Sequence, residues 1–453
     1  MNTLGIDIGS SYIKAGVIST GREALIQQTN FPALPKLPSA NPLVYELDAE
    51  ELYNTIHKII HTTAASVPLD SILFSTQMHG FVYQTKSRPE RYISWQDSRC
   101  TSPQKNGISV LDMMKAFISE EEMEVSGVQL KPSLGMCNLY ALLQEEDAPP
   151  DDGTLFTLGS YLIWRLTGNN ICHITNAAPL GLVNVPQKSW NNRVIDALSF
   201  SKITFPDIAS EEFRPAGYCF AEGQKIPVYP DYGDQQVSIA GACSTPDDAV
   251  INIATACQLS RNTHVFIPGS YEVRPYFEQT YINTISNMPG GRNLSVFIRF
   301  LKEAVQLFTG KQIEESDMWD IINNTLGPDS GDLKTEMYFY PTNEHLLGGN
   351  VSHITPNNLH ISNLFQAAYE HIAEEYAKNL PLLEEASKIK RLIFSGGVSW
   401  KNAQLIDTAA RRIELPYKRS PIPDETFNGL YRLSLAIERK GGLPYESLKR
   451  TLE

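Results

Sequence analysis

The stretch Tyr229-Pro230-Asp231-Tyr232-Gly233-Asp234-Gln235-Gln236-Val237-Ser238 places a carboxylate directly after a glycine and ahead of a run of small residues. Pro and Gly set a turn, and the turn delivers Asp234 to the mouth of a helix facing a cleft. A carboxylate so placed can accept a proton in catalysis. Taken alone, it is also what a helix-start aspartate stabilised by the helix dipole looks like. A second cluster lies near the N-terminus, where Leu4, Ile6 and Ile8 alternate with Gly5, Asp7 and Gly9 before Ser10-Ser11 turns the chain back. Gly9 admits a bulky anion to the backbone, and Ser10 and Ser11 offer hydroxyls and amides to phosphate oxygens. Asp7 beside such a loop repels phosphate unless a cation lies between them, which implies Mg²⁺ with hard oxygen ligands. An ordinary hairpin with a solvated Asp7 is the alternative. A third cluster pairs Gln77 and His79 with Ile93-Ser94-Trp95-Gln96-Asp97-Ser98-Arg99. An aromatic face beside charged hydrogen-bonding groups is how carbohydrates are held. A packed Trp next to a surface Asp–Arg pair accounts for the second of these segments taken alone.

The elements that must position these groups follow from periodicity. Residues 72–83 read as a strand broken by a polar turn and resumed, which puts Gln77 and His79 where two strands part. Ahead of them, residues 48–66 form an amphipathic helix with Leu52, Ile56, Ile59 and Ile60 on one stripe. His57 and His61 on that helix stand four apart without a third ligand, so they read as a packed or solvated pair. Residues 115–143 are helical in pattern, broken near Gly127 and at Lys131-Pro132, and 157–167 form a helix ending at Gly168. Residues 213–223 read as loop. Residues 249–263 repeat the apolar strand, small-residue turn and second strand of the first loop, which suggests an internal duplication. Residues 391–402 run a buried strand into Gly396-Gly397 and a helix start, where backbone amides and dipole meet an anion or a ribose, or where the turn is structural. Helices over 361–380 and 424–439 close the chain.

With 453 residues the chain exceeds one core, and two or three domains are expected. Its net charge of -13 argues against nucleic acid and anionic membrane as partners, since both require a basic face. No basic segment followed by an apolar run opens the chain, so a cytoplasmic location is expected. The six cysteines show no C-x-x-C pair and suit reduced thiols. A homodimer is left open.

In order, Gly5-Ile6-Asp7-Ile8-Gly9-Ser10-Ser11, Thr76-Gln77-Met78-His79-Gly80, Trp95-Gln96-Asp97-Ser98-Arg99, Gly233-Asp234-Gln235-Gln236, Ile253-Ala254-Thr255-Ala256 and Phe394-Ser395-Gly396-Gly397 resemble the FGGY family of carbohydrate kinases. The resemblance covers nearly the whole chain. It implies an α/β fold of two ribonuclease-H-like domains of the actin and hexokinase type, with mixed sheets flanked by helices and a cleft between them. Residues 1–240 would hold the sugar and 241–453 the nucleotide. It implies ATP and Mg²⁺, with Asp7 on the metal. Gly9, Ser10, Ser11, Lys14 and Thr255 would lie toward the phosphates, and Gly396, Gly397 and Asn402 near the nucleoside. Gln77, Met78, His79, Trp95, Asp97, Arg99, Asp234 and Gln235 would contact the sugar, with Asp234 the base for its primary hydroxyl. Within the family, Gln77-Met78-His79-Gly80 and the Trp95–Cys100 run look like the ketose kinases. Sedoheptulose is the first expectation, xylulose the second, and an inactive sugar-binding relative a third. One departure stands out: Ala254 and Ala256 flank Thr255 where the family has glycine or serine, and Ala is strained wherever φ must be positive.

Overall fold

The computed structural model describes residues 1–104, 107–145, 147–254, 257–327, 329–340 and 348–452. Strand β1 (Asn2–Ile8) pairs antiparallel with β2 (Tyr12–Ser19), and β2 with β3 (Ala24–Pro32). The Asp48 carboxylate accepts the amides of Glu50 and Glu51 and so caps α1 (Ala49–Ser66), which buries Leu52, Ile56, Ile59 and Ile60. The chain returns as β4 (Ser71–Thr76), parallel to β1. The break at residues 77–80 is the polar turn expected there, and Phe81–Gln84 resumes as a strand of a separate four-stranded sheet.

Residues 213–223, expected to be loop, instead contain β5 (Gly217–Ala221), which forms a hairpin with β6 (Gln224–Val228). Cys219 and Ala221 point inward, but Tyr218 and Phe220 are also apolar and lie exposed, so the alternation that marks a half-buried strand is hidden. Among the described residues the first sheet runs β5-β6-β4-β1-β2-β3 and ends on Arg450–Leu452, with Tyr232–Gly233 pairing the end of β4.

That last pairing leads straight into α2 (Asp234–Gly241). Beyond it stand β7 (Asp248–Asn252), β8 (Cys257–Thr263), β9 (Glu272–Pro275), β10 (Tyr281–Met288), α3 (Gly291–Thr309), α4 (Ile361–Asn379), β11 (Arg391–Ser395), β12 (Tyr417–Arg419) and α5 (Glu425–Arg439). Their sheet order is β9-β10-β8-β7-β11-β12. Strand β7 is antiparallel to β8 and parallel to β11, the same relation that β1 has to β2 and β4.

Helices α2 and α5 fill the space between the two sheets. Their Val237, Ala240, Phe427, Leu430 and Leu433 pack with Ile18 and Leu73 of the first sheet and with Val250 and Ile393 of the second. The crossing is close: a Cβ on Gly241 would lie 1.8 Å from the Glu425 carbonyl oxygen, and one on Gly429 2.0 Å from that of Val237. No helix among the described residues is long and apolar enough to cross a membrane. All six cysteines are buried and unpaired.

Candidate active site

A cleft of about 410 Å³ opens at the start of α2, a volume that suits a small ligand. One wall carries Asp7, Gly9, Ser10, Gln77, Met78, His79, Trp95, Asp234 and Gln235. The facing wall carries Asn252, Ala254, Gln258, Ser260, Arg274 and Asn287.

Asp234 is the first residue of α2, held by a turn with little freedom. The Gly233 amide donates to Thr175 Oγ1 at 3.0 Å, and a Cβ at Gly233 would lie 2.4 Å from Gln236 Oε1 and 2.8 Å from Met78 Sδ. The Asp234 carboxylate is half-buried, and Oδ1 accepts the Gln235 amide at 2.8 Å. Burial pushes its pKa up to about 6, against the pull of that amide and of the Arg274 charge.

Asp7 lies at the end of β1, buried, with Ser75 Oγ donating to Oδ1 at 2.9 Å. Burial pushes its pKa up to about 7; Lys14 pulls it down, while Asp424 and Asp234 push it further up. Lys14 Nζ reaches Asp424 Oδ2 at 2.9 Å and so joins β2 to the residue that caps α5. A buried carboxylate with its charge undercompensated is one that a cation would stabilise, so Asp7 fits the expected Mg²⁺. Among the described residues no group of three or more His, Cys, Asp or Glu could hold a metal by itself. Ser10 and Ser11 are exposed at the turn, and the Gly9 amide donates to the Tyr12 carbonyl at 3.0 Å, inside the hairpin.

His79 has a left-handed φ of 68°, which turns its ring into the cleft wall. Burial, with Lys131 and Arg274 nearby, holds its pKa well below the ordinary imidazole value. The ring is therefore neutral. Its Nδ1 stands 2.8 Å from the Pro179 carbonyl, which can only accept, so Nδ1 carries the proton and Nε2 is an acceptor.

Several expected contacts sit elsewhere. Asp97 and Arg99 do not line the cleft: Arg99 Nε and Nη2 donate to Asp97 at 3.0 and 2.8 Å, and Arg99 also binds Glu46 at 2.6 Å and Glu145 at 3.1 Å. Asp97 additionally accepts the Tyr45 amide at 2.7 Å. The pair holds the loop that presents Trp95. Gln235 lines the cleft, but its Nε2 donates to Gln258 Oε1 at 2.5 Å and Thr284 Oγ1 at 2.8 Å, and its Oε1 accepts from Arg274. The Gly396 amide donates to Glu425 Oε1 at 3.0 Å. Its φ of 85°, with the Ile253 carbonyl oxygen 2.6 Å from where a Cβ would stand, requires glycine there. Gly397 is exposed with open space above it. Asn402 is buried, its Oδ1 accepting from the Tyr369 hydroxyl at 2.9 Å and its Nδ2 donating to the Val398 carbonyl at 3.0 Å. Thr255 and Ala256 lie outside the described residues. Ala254 is not among the residues with positive φ, so no strain attaches to it.

Sequence reasoning gave Lys131, Glu272, Arg274 and Asp424 no role in the site. Lys131-Pro132 and Asp424 were legible only as the edges of helices.

Residues 2–241 match the family model described as the FGGY family of carbohydrate kinases, N-terminal domain. The chain is similar to sedoheptulokinase of Homo sapiens, 22% identical, over 91% of this chain and 93% of that one. Among solved structures it is similar to a ligand-bound xylulose kinase from Lactobacillus acidophilus, with a TM-score of 0.81 at 16% identity over 97% and 90% of the two chains. It is likewise similar to Plasmodium falciparum glycerol kinase with ADP, with a TM-score of 0.80 at 18% identity over 98% and 90%.

Proposed function

The chain belongs to the FGGY family of carbohydrate kinases, and from that premise we propose that it transfers the γ-phosphoryl group of ATP to the primary hydroxyl of a ketose. Sedoheptulose is the first choice of substrate and xylulose the second. The observation that carries this is the placement of Asp234, half-buried on a cleft wall shared by the Asp7 hairpin and the neutral His79. The ketose lies along Gln77, Met78, His79 and Trp95, with the indole face against its C–H groups and His79 Nε2 accepting from a hydroxyl. Asp234 takes the proton of the primary hydroxyl as the oxygen attacks phosphorus in line. The nucleotide lies against the second half, with its base side over the open surface at Gly397 and its phosphates toward Ser10, Ser11 and Lys14. A Mg²⁺ ion held at Asp7, when bound, neutralises charge on the phosphate oxygens. Because phosphoryl transfer depends mostly on alignment and charge, residues 1–240 and 241–453 serve as two holders for one line of reacting atoms.

The test is ADP release over sedoheptulose, xylulose, ribulose, fructose and glycerol. A kcat/KM highest for sedoheptulose is the expected result. ADP release indifferent to every sugar would overturn the kinase assignment in favour of a plain ATPase.

A further inference from the structure

Three charged groups meet at the His79 side of the cleft, and the phosphoryl-transfer step uses none of them. Lys131 Nζ donates to Glu272 Oε1. Arg274 Nε and Nη2 donate to Glu272 Oε2 at 2.9 and 2.5 Å. Glu272 and Arg274 are buried, whereas the Lys131 side chain keeps 20% exposure and lines the cleft. One carboxylate between two cations leaves one positive charge, which the ionised Asp234 near Arg274 offsets across the cleft. Burying such a group is costly, and a simple join between the two halves would be made more stably by apolar residues.

The segment bearing Lys131 is also fixed through its backbone. The Val273 amide donates to the Gly127 carbonyl at 2.8 Å, and a Cβ on Gly127 would lie 2.1 Å from the Val273 carbonyl oxygen. The ammonium is thus held by Glu272, on a segment whose backbone is itself fixed against β9, which is the preorganisation a specificity contact requires. Its bond to Glu272 uses one of three N–H donors, and the others remain for a ligand. Beside it, His79 presents an acceptor. A donor next to an acceptor complements two neighbouring hydroxyls of a sugar chain, one accepting and one donating.

We propose that Lys131, positioned by Glu272 and Arg274, is a specificity-determining residue that donates to an oxygen of the ketose adjacent to the hydroxyl held by His79, a step resting on the kinase reading above. A ketose of five carbons or more carries such a pair beyond the primary hydroxyl that Asp234 would deprotonate.

The test is calorimetric binding of sedoheptulose, xylulose and Mg–ADP to the wild type and to Lys131→Met and Lys131→Arg, with ADP release assayed separately. The expected result is a ketose Kd raised about tenfold or more in Lys131→Met, the size of a lost charged hydrogen bond, with Mg–ADP Kd within about twofold and most of the ketose loss recovered in Lys131→Arg. A ketose Kd that does not change, or one that rises in step with Mg–ADP, would overturn it, because a purely structural latch weakens both ligands. Should Lys131→Met fail to fold, Lys131→Gln keeps a donor without the charge, and the same contrast between ketose and Mg–ADP decides. Wild-type protein that binds ketose but releases no ADP would sink the kinase reading alone.

Discussion

A base for a sugar hydroxyl has to be ionised at working pH yet still hold a proton well, and a pKa of about 6 puts Asp234 near that compromise. Its folded pKa is raised above 3.8, so the ionised fraction falls as pH drops through about 6. We expect kcat/KM for ketose to plateau above about pH 7 and to lose roughly tenfold per unit below about 6, read from a pH profile at subsaturating ketose. Stability runs the opposite way: between 3.8 and about 6 the folded carboxyl keeps a proton that the unfolded chain has released. That contribution is therefore full below 3.8 and lost as pH rises through about 6. Replacing the base tests the role directly. Asp234→Asn should keep ketose binding within a few-fold and lose at least about a hundredfold in ADP release; near-wild-type turnover would remove Asp234 from the mechanism. Asp234, Asp7 and His79 were legible because turn glycines and strand breaks mark them locally. Asp97 and Arg99 were read as sugar contacts because their types were visible and their partners were not: Glu46 and Glu145 are far away in sequence. The same distance hid Lys131 and Arg274, whose shared partner Glu272 is close to only one of them.

At the scale of elements, caps and periodicity gave most boundaries. Asp48 starts α1, Gly168 ends the helix Leu158–Thr167, and Asp424 starts α5 by accepting the Phe427 amide. What the sequence could not display is how closely two helices pass. Gly429 within α5 reads locally as a weak point in a helix. In the fold it lets α5 approach α2 until the two backbones touch, with no room for a Cβ beside the Val237 carbonyl. Backbone cannot yield as a flexible side chain would. Gly429→Ala should therefore destabilise the protein by about 1–3 kcal/mol despite its better helix propensity, measured by urea unfolding. A neutral or stabilising result would mean that the crossing is looser than this. Helix α2 carries Asp234 at its first turn, so the same variant should also lower kcat more than it raises KM for ketose.

The whole molecule turns on the joint that α2 makes between its sheets, and Gln235 is its most heavily bonded side chain there. From α2 it reaches Gln258 and Thr284 on the second sheet and accepts from Arg274 on β9. It also lines the cleft, so two roles compete for it: a contact to sugar, or a rivet whose amide is already spent. Gln235→Leu separates them. The substitution keeps bulk while leaving Arg274 Nη1 without its Gln235 partner in a buried place, a loss of about 1–3 kcal/mol. If Gln235 is a rivet, the melting temperature falls, the calorimetric transition broadens or splits as the two halves uncouple, and ketose Kd stays within about threefold. A ketose Kd that rises tenfold at unchanged stability would make it a sugar contact instead. The first outcome is expected, because each described hydrogen bond of the Gln235 amide crosses between the halves and each is made without ligand. A joint satisfied in that way fixes how Asp234 faces the second sheet, and alignment across the cleft is then a property of the fold that substrate inherits on binding.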